Sequence, residues 1–207
     1  MAMLKIYGQG RSRTFRVLWL CKESGIPYEH VPVSILVEGA QAKEDWYRRL
    51  NPNARVPTIE DDGFVMWESA AINLWLAEKY RSPLFPATIE GKGRMLQWAF
   101  FISNDVEGPM ITMFQNRVVF PPEKRNPAAA EEADRRLRPA LGVIDGALAG
   151  SGHLGVERWD MTDFVAASVL FTLQAMKYDL GGLPRLAAWL AASLDRPAAK
   201  EAIRLRG

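Results

Sequence analysis

The chain has 207 residues, 48% of them apolar, with 26 basic and 24 acidic side chains and a formal charge of +2. This is the composition of an ordinary folded protein, long enough for one large domain or two small ones, so a dominantly disordered chain is excluded. The charge balance makes nucleic acid a poor expectation, and no apolar run approaches the ~18 residues of a membrane span.

One cysteine, Cys21, leaves no internal disulfide, and two histidines, His30 and His153, give no Cys/His zinc site. The opening Met1-Ala2-Met3-Leu4-Lys5 lacks a secretory apolar core. A cytoplasmic protein without metal is expected.

Residues 4–7 alternate like a strand. Residues 14–24 run helical, with Phe15, Leu18, Trp19 and Lys22 on one face and Val17, Leu20 and Cys21 on another. A helix apolar on two faces belongs between layers, and Gly25 ends it. Residues 28–33 read as a second strand, and 39–50 as a short polar helix. Asp61-Asp62-Gly63 between two apolar runs, 57–60 and 64–67, signals a hairpin. A helix follows over 69–80. The order βαβ, α, ββα makes a mixed α/β domain over about 1–80.

Pro83, Pro86 and Gly91 mark a linker over 81–91. Strand signals then vanish, and 92–207 reads as an all-helical domain. Its first helix, 92–117, should kink at Gly108-Pro109. Leu137, Leu141, Ile144 and Leu148 mark the next helix. The segment 155–163 reads as a capped helix start, with Asp160 and Asp163 serving the first turn and Trp159 as a staple. Pro184 opens a last pair of short helices.

Three segments can carry chemistry. In Asn51-Pro52-Asn53-Ala54-Arg55-Val56-Pro57, a proline opens a strand, which is unusual. It is either an ordinary loop-to-strand proline or a cis bond that turns the Val56 backbone outward, where an extended peptide could pair with it. Ser69 stands where a strand gives way to a helix. It is either a plain N-cap or, with the free amides, an anion site, and Glu68 beside it could take an ammonium. Such a pair suits an amino-acid zwitterion. Ser12, with Arg11 and Arg13, joins the first strand to the first helix. A hydroxyl there, near a helix end and two guanidiniums, could stabilise a thiolate. The plainer reading is a capping serine between solvated arginines. Gly8-x-Gly10 is too short for a dinucleotide fingerprint.

In this order and spacing, the first strand, Arg55-Val56-Pro57, Glu68-Ser69-x-Ala71-Ile72, the linker, the helical half and the capped helix at Asp160 resemble the cytosolic glutathione transferase family. The resemblance spans the whole chain. It implies an α/β thioredoxin-like N-terminal domain, an all-α C-terminal domain, glutathione as co-substrate and a homodimer. By the same likeness, Val56 pairs its backbone with the cysteinyl unit before a cis Pro57, Glu68 and Ser69 hold the γ-glutamyl group, and Arg55 lies near the glycyl carboxylate. Asp105 matches an acid lent across the dimer. Ser12, four residues before Arg16, matches the thiol-activating hydroxyl of serine-type classes, helped by Arg11 or Arg13, while Tyr7 lies inside the strand. Met110, Phe114 and Arg117 are candidates for the electrophile site, the first two also reading as core. The implied activity is attack of the glutathione thiolate on a small hydrophobic electrophile in detoxification. Peroxidase, isomerase or dehalogenase chemistry and a non-catalytic glutathione binder are the alternatives.

Overall fold

The computed structural model describes residues 3–35 and 39–206, so Met1 and Ala2 of the opening segment lie outside the described residues. The chain divides into two compact units, Met1–Phe85 with Asp195–Gly207, and Pro86–Leu194.

In the first unit, strand β1 (Leu4–Tyr7) pairs in parallel with β2 (Tyr28–Val31) and antiparallel with β3 (Thr58–Asp61), which pairs antiparallel with β4 (Phe64–Trp67). The sheet order is β2-β1-β3-β4, the expected thioredoxin-like arrangement. Asp62 and Gly63 form the hairpin turn. Both have positive φ, 50° and 81°, as a two-residue hairpin loop requires. Helix α1 (Phe15–Ser24) is enclosed on both faces: Val17, Leu18, Trp19 and Leu20 expose no surface. Gly25, at φ 64°, ends it as a left-handed cap. The expected polar helix of 39–50 is a 3₁₀ turn, Gln41–Lys43, and a short α2 (Asp45–Leu50). Helix α3 (Ser69–Lys79) follows β4 directly.

The C-terminal end does not join the helical half as the sequence suggested. Helix α9 (Pro197–Arg204) lies along α1 in the first unit, with Ala199 and Ala202 fully buried. Small side chains on that face let the helices approach closely. Arg196 adds a two-pronged ion pair to the buried Glu23 carboxylate, at 2.8 and 2.9 Å.

In the second unit α4 (Ile89–Phe101) begins inside the expected linker, and α5 (Gly108–Phe114) follows it. The disturbance expected at Gly108-Pro109 takes the form of widened turns: Ile102–Glu107 is π-helical, and so is Gln115–Val119. Helices α6 (Pro127–Ala147), α7 (Met161–Ala175) and α8 (Pro184–Asp195) complete the unit. The first turn of α7 carries the capping box read from Asp160 and Asp163. Trp159 is a polar tether here, its Nε1 donating to Ser193 Oγ at 3.0 Å. No helix among the described residues is long and apolar enough to cross a membrane.

Candidate functional site

The first unit carries a narrow cleft lined by Arg13, Asn51, Arg55, Val56, Pro57, Glu68 and Ser69. Six of these were singled out from the sequence. Asn51 was not, although it opens the Asn-Pro-Asn run that the sequence flagged. It is buried and serves as the hub of the loop. Its Oδ1 accepts the Asn53 amide at 3.0 Å, and its Nδ2 donates to the Arg55 carbonyl at 2.9 Å and to Thr58 Oγ1 at 3.1 Å. Tyr47, on α2, donates to the same Arg55 carbonyl at 2.7 Å. Burial pushes its hydroxyl up to about 12, so it stays a donor throughout the ordinary pH range. Between these anchors the Val56-Pro57 bond is cis. The Val56 backbone therefore sits on a frame of fixed hydrogen bonds rather than in a free loop.

At the other wall, Glu68 takes φ 77°, a region that non-glycine residues rarely enter. It is the N-cap of α3 and offers no capping hydrogen bond, and its side chain is exposed. Ser69 is the first residue of α3 rather than its cap. Its buried hydroxyl accepts from Arg16 Nη1 at 3.3 Å. The helix start thus presents amides and a held hydroxyl beside an exposed carboxylate, which are the parts a zwitterion needs.

Ser12 lies on a π-helical turn of five residues, Gly10–Thr14, leading into α1, its own backbone extended at φ −99° and ψ −168°. It is half-buried and does not line the cleft; neither does Arg11, which bonds Gln9 Oε1 at 3.3 Å. The Ser12 hydroxyl has acceptors at the Gln9 carbonyl, 2.6 Å, and Thr14 Oγ1, 2.9 Å, and it receives the Thr14 amide at 3.2 Å. Gly8 just before it has φ 135° and packs where a Cβ would meet the Thr14 hydroxyl and, at 2.8 Å, the Val56 side chain. His30, which no sequence motif marked, lies on β2 with Nε2 at 2.6 Å from the Gly8 carbonyl; at that distance the ring nitrogen must be the donor. Tyr7 donates to Glu60 at 2.8 Å, and burial followed by that bond raises its hydroxyl to about 12. Tied to a carboxylate inside the strand, it is not placed to serve a thiol.

Residues 12–79 match the family described as Glutathione S-transferase, N-terminal domain, and residues 127–192 match Glutathione S-transferase, C-terminal domain. A glutathione S-transferase-like protein of Aspergillus terreus, gedE, is 31% identical over 97% of this chain and 92% of its own length. The chain belongs to the glutathione S-transferase family. Glutathione S-transferase F9 of Arabidopsis thaliana is 27% identical over 97% of this chain and 96% of its own. The glutathione-bound crystal structure of a theta class glutathione S-transferase from Xanthomonas axonopodis pv. citri superposes with a TM-score of 0.90, at 29% identity over 98% of both chains.

In the helical unit of this transferase, the residues read as electrophile contacts separate. Met110 is fully buried, which corrects its expected place on a pocket wall: it is packed interior. Phe114 is half-buried. Arg117 pairs with Asp134 at 2.9 Å on the rim of an open polar cleft of about 570 Å³, shared with Glu131, Arg138 and Tyr178. Burial opposes ionisation of Asp134, but hydrogen bonds from Tyr178 and Arg117 outweigh it and hold the carboxyl below its usual range. Asp105 is exposed on the π-helical turn after α4.

Proposed function

We propose that the protein binds glutathione along the cleft of its first unit and activates the thiol as thiolate for attack on a small hydrophobic electrophile. The observation that carries this reading is the convergence of Val56, Pro57, Glu68 and Ser69 on one cleft. The γ-glutamyl carboxylate takes the Ser69 hydroxyl and the free amides of α3, and the amine takes Glu68. The cysteinyl backbone pairs with Val56, and Arg55 meets the glycyl carboxylate. Arg13, on the cleft wall, adds positive charge.

A free thiol has a pKa near 8.5, so little thiolate exists at neutral pH. Ser12 has one proton, now shared between the Gln9 carbonyl and Thr14 Oγ1. A thiolate is the stronger acceptor because it is charged, so it draws that proton into an O–H···S bond. Lowering the thiol pKa by ~2 units needs ~2.7 kcal/mol of preferential thiolate binding. The thiol proton passes to solvent. The sulfur lone pair then forms the C–S bond as the leaving group departs with its electron pair, or as an activated double bond takes up a proton. The protein acts in the cytoplasm as a detoxifying homodimer, with Asp105 of one copy reaching the glutathione of the other.

One observation favours a second reading, a non-catalytic glutathione binder: the Ser12 hydroxyl is satisfied inside its own turn. Replacing Ser12 by Ala separates the two. A transferase loses on the order of tenfold or more in kcat, and its bound thiol pKa rises. A binder changes neither. Turnover is screened with halonitroaromatics, isothiocyanates and hydroperoxides, the last also reporting peroxidase chemistry.

A further inference from the structure

The turn that carries Ser12 is held from outside by the end of the chain. Gly10, its first residue, packs against the backbone of Leu205. A Cβ at Gly10 would fall on the Leu205 carbonyl oxygen and lie 2.9 Å from its carbon. Gly10 φ is not in the left-handed region, so its backbone conformation suits alanine; only the tail forbids a side chain there. The next residue, Arg206, sets its guanidinium over the Phe15 ring at 5.1 Å, on the first residue of α1. Phe15 adjoins Arg16, which holds Ser69 at 3.3 Å. The tail is itself anchored by the Arg196–Glu23 pair and by Lys22–Glu201 at 3.5 Å.

We infer that Leu205 and Arg206 are positioning residues for thiol activation, the chain end buttressing the Gly10–Thr14 turn so that the Ser12 hydroxyl is aimed. This rests on the proposal that Ser12 acts on the glutathione sulfur. The geometry transmits directly. Both the Ser12 amide, at 3.0 Å, and the Ser12 hydroxyl, at 2.6 Å, bond the carbonyl of Gln9, the residue joined to Gly10. Moving Gly10 therefore tilts the peptide on which Ser12 rests. Burial, and then the nearby Arg16 guanidinium, lower the pKa of Arg206, so two like charges crowd the first turn of α1.

The test reads the pKa of glutathione bound to the protein, by ultraviolet absorbance of its thiolate across a pH titration. It compares the parent, Gly10→Ala, a chain ending at Arg204, the combination of the two, and Arg206→Ala with Arg206→Lys. Gly10→Ala and the shortened chain should each raise the bound thiol pKa by about one unit, roughly tenfold less thiolate at neutral pH, with glutathione affinity within about twofold. In the shortened chain Gly10→Ala should add almost nothing, because the obstructing carbonyl is gone. Arg206→Ala, the mildest change, should shift the pKa in the same direction, and Arg206→Lys should restore it by keeping a cation over Phe15. An unchanged titration in both the shortened chain and Gly10→Ala overturns the inference, and so does an equal, additive loss in the combined variant. Ser12→Ala is run beside them. If it leaves the bound pKa at the parent value, the Ser12 reading itself has failed; if it raises the pKa while the tail variants do not, the tail alone is acquitted of any role.

Discussion

Two helix starts in this molecule follow a strand or loop in similar fashion and end up opposite in character. At α7 the capping backbone amides are met, and among its described residues only the buried Thr162 hydroxyl is left without a partner. Asp163, fully buried, accepts the amides of Leu154 at 2.8 Å, Gly155 at 2.9 Å and Asp160 at 3.3 Å, and Trp189 Nε1 at 2.7 Å, while Asp160 caps Thr162 at 2.7 Å. At α3 the cap residue Glu68 offers no side-chain bond, sits in an unfavourable backbone region and faces solvent. A helix end that serves only folding meets its backbone donors. The α3 end leaves its donors available at the cleft and carries backbone strain there, which is the pattern of a binding end.

The contrast can be broken at either end. The largest effect should come from Asp163→Ala. Several buried donors lose their acceptor, and the helical unit should lose on the order of 3–5 kcal/mol, read by chemical denaturation. Ser69→Ala should spare stability by comparison and weaken glutathione about tenfold, read by calorimetry, as one hydrogen bond to a charged group is lost. Glu68→Gly sharpens the comparison further. It should stabilise the first unit by roughly 1 kcal/mol by relieving the backbone, and weaken glutathione binding by removing the amine's partner. Equal losses of stability at Ser69 and Asp163 would erase the distinction.

The smallest effect concerns a third capping carboxylate. Asp145 accepts the Leu186 amide at 2.9 Å and Arg185 at 3.0 Å at the start of α8, and these bonds lower its pKa. A carboxyl lowered on folding contributes stability above its unfolded pKa of about 3.9, and loses it as pH falls through the lower folded value. Asp145→Asn should therefore flatten the acid limb of the melting curve and change little at pH 7.

Local chemistry was legible because its causes are local. Asp62-Gly63 dictates a two-residue hairpin, Gly25 a helix stop, and Asp160 with Asp163 a capped start, each within a few residues. Of the cleft, Val56, Pro57, Glu68 and Ser69 were readable because they lie at strand-to-helix and loop-to-strand junctions. Asn51 and His30 were not, since their work is to hold a carbonyl several residues or a strand away. The π-helical turns on either side of Gly108-Pro109 were legible only as a kink, because one widened turn hardly alters an apolar periodicity. The docking of α9 on α1 was invisible for a different reason. Glu23 and Arg196 are 173 residues apart, and nothing in either segment names the other.

Under the proposed function, the γ-glutamyl head of glutathione is gripped where β4 passes into α3. Calorimetric titration with glutathione, and with the same tripeptide lacking the γ-glutamyl amine, tests it most directly. Saturable binding of glutathione, with the amine-free analogue at least about tenfold weaker, is the predicted result. No heat at millimolar glutathione, or equal binding of the two peptides, would contradict it.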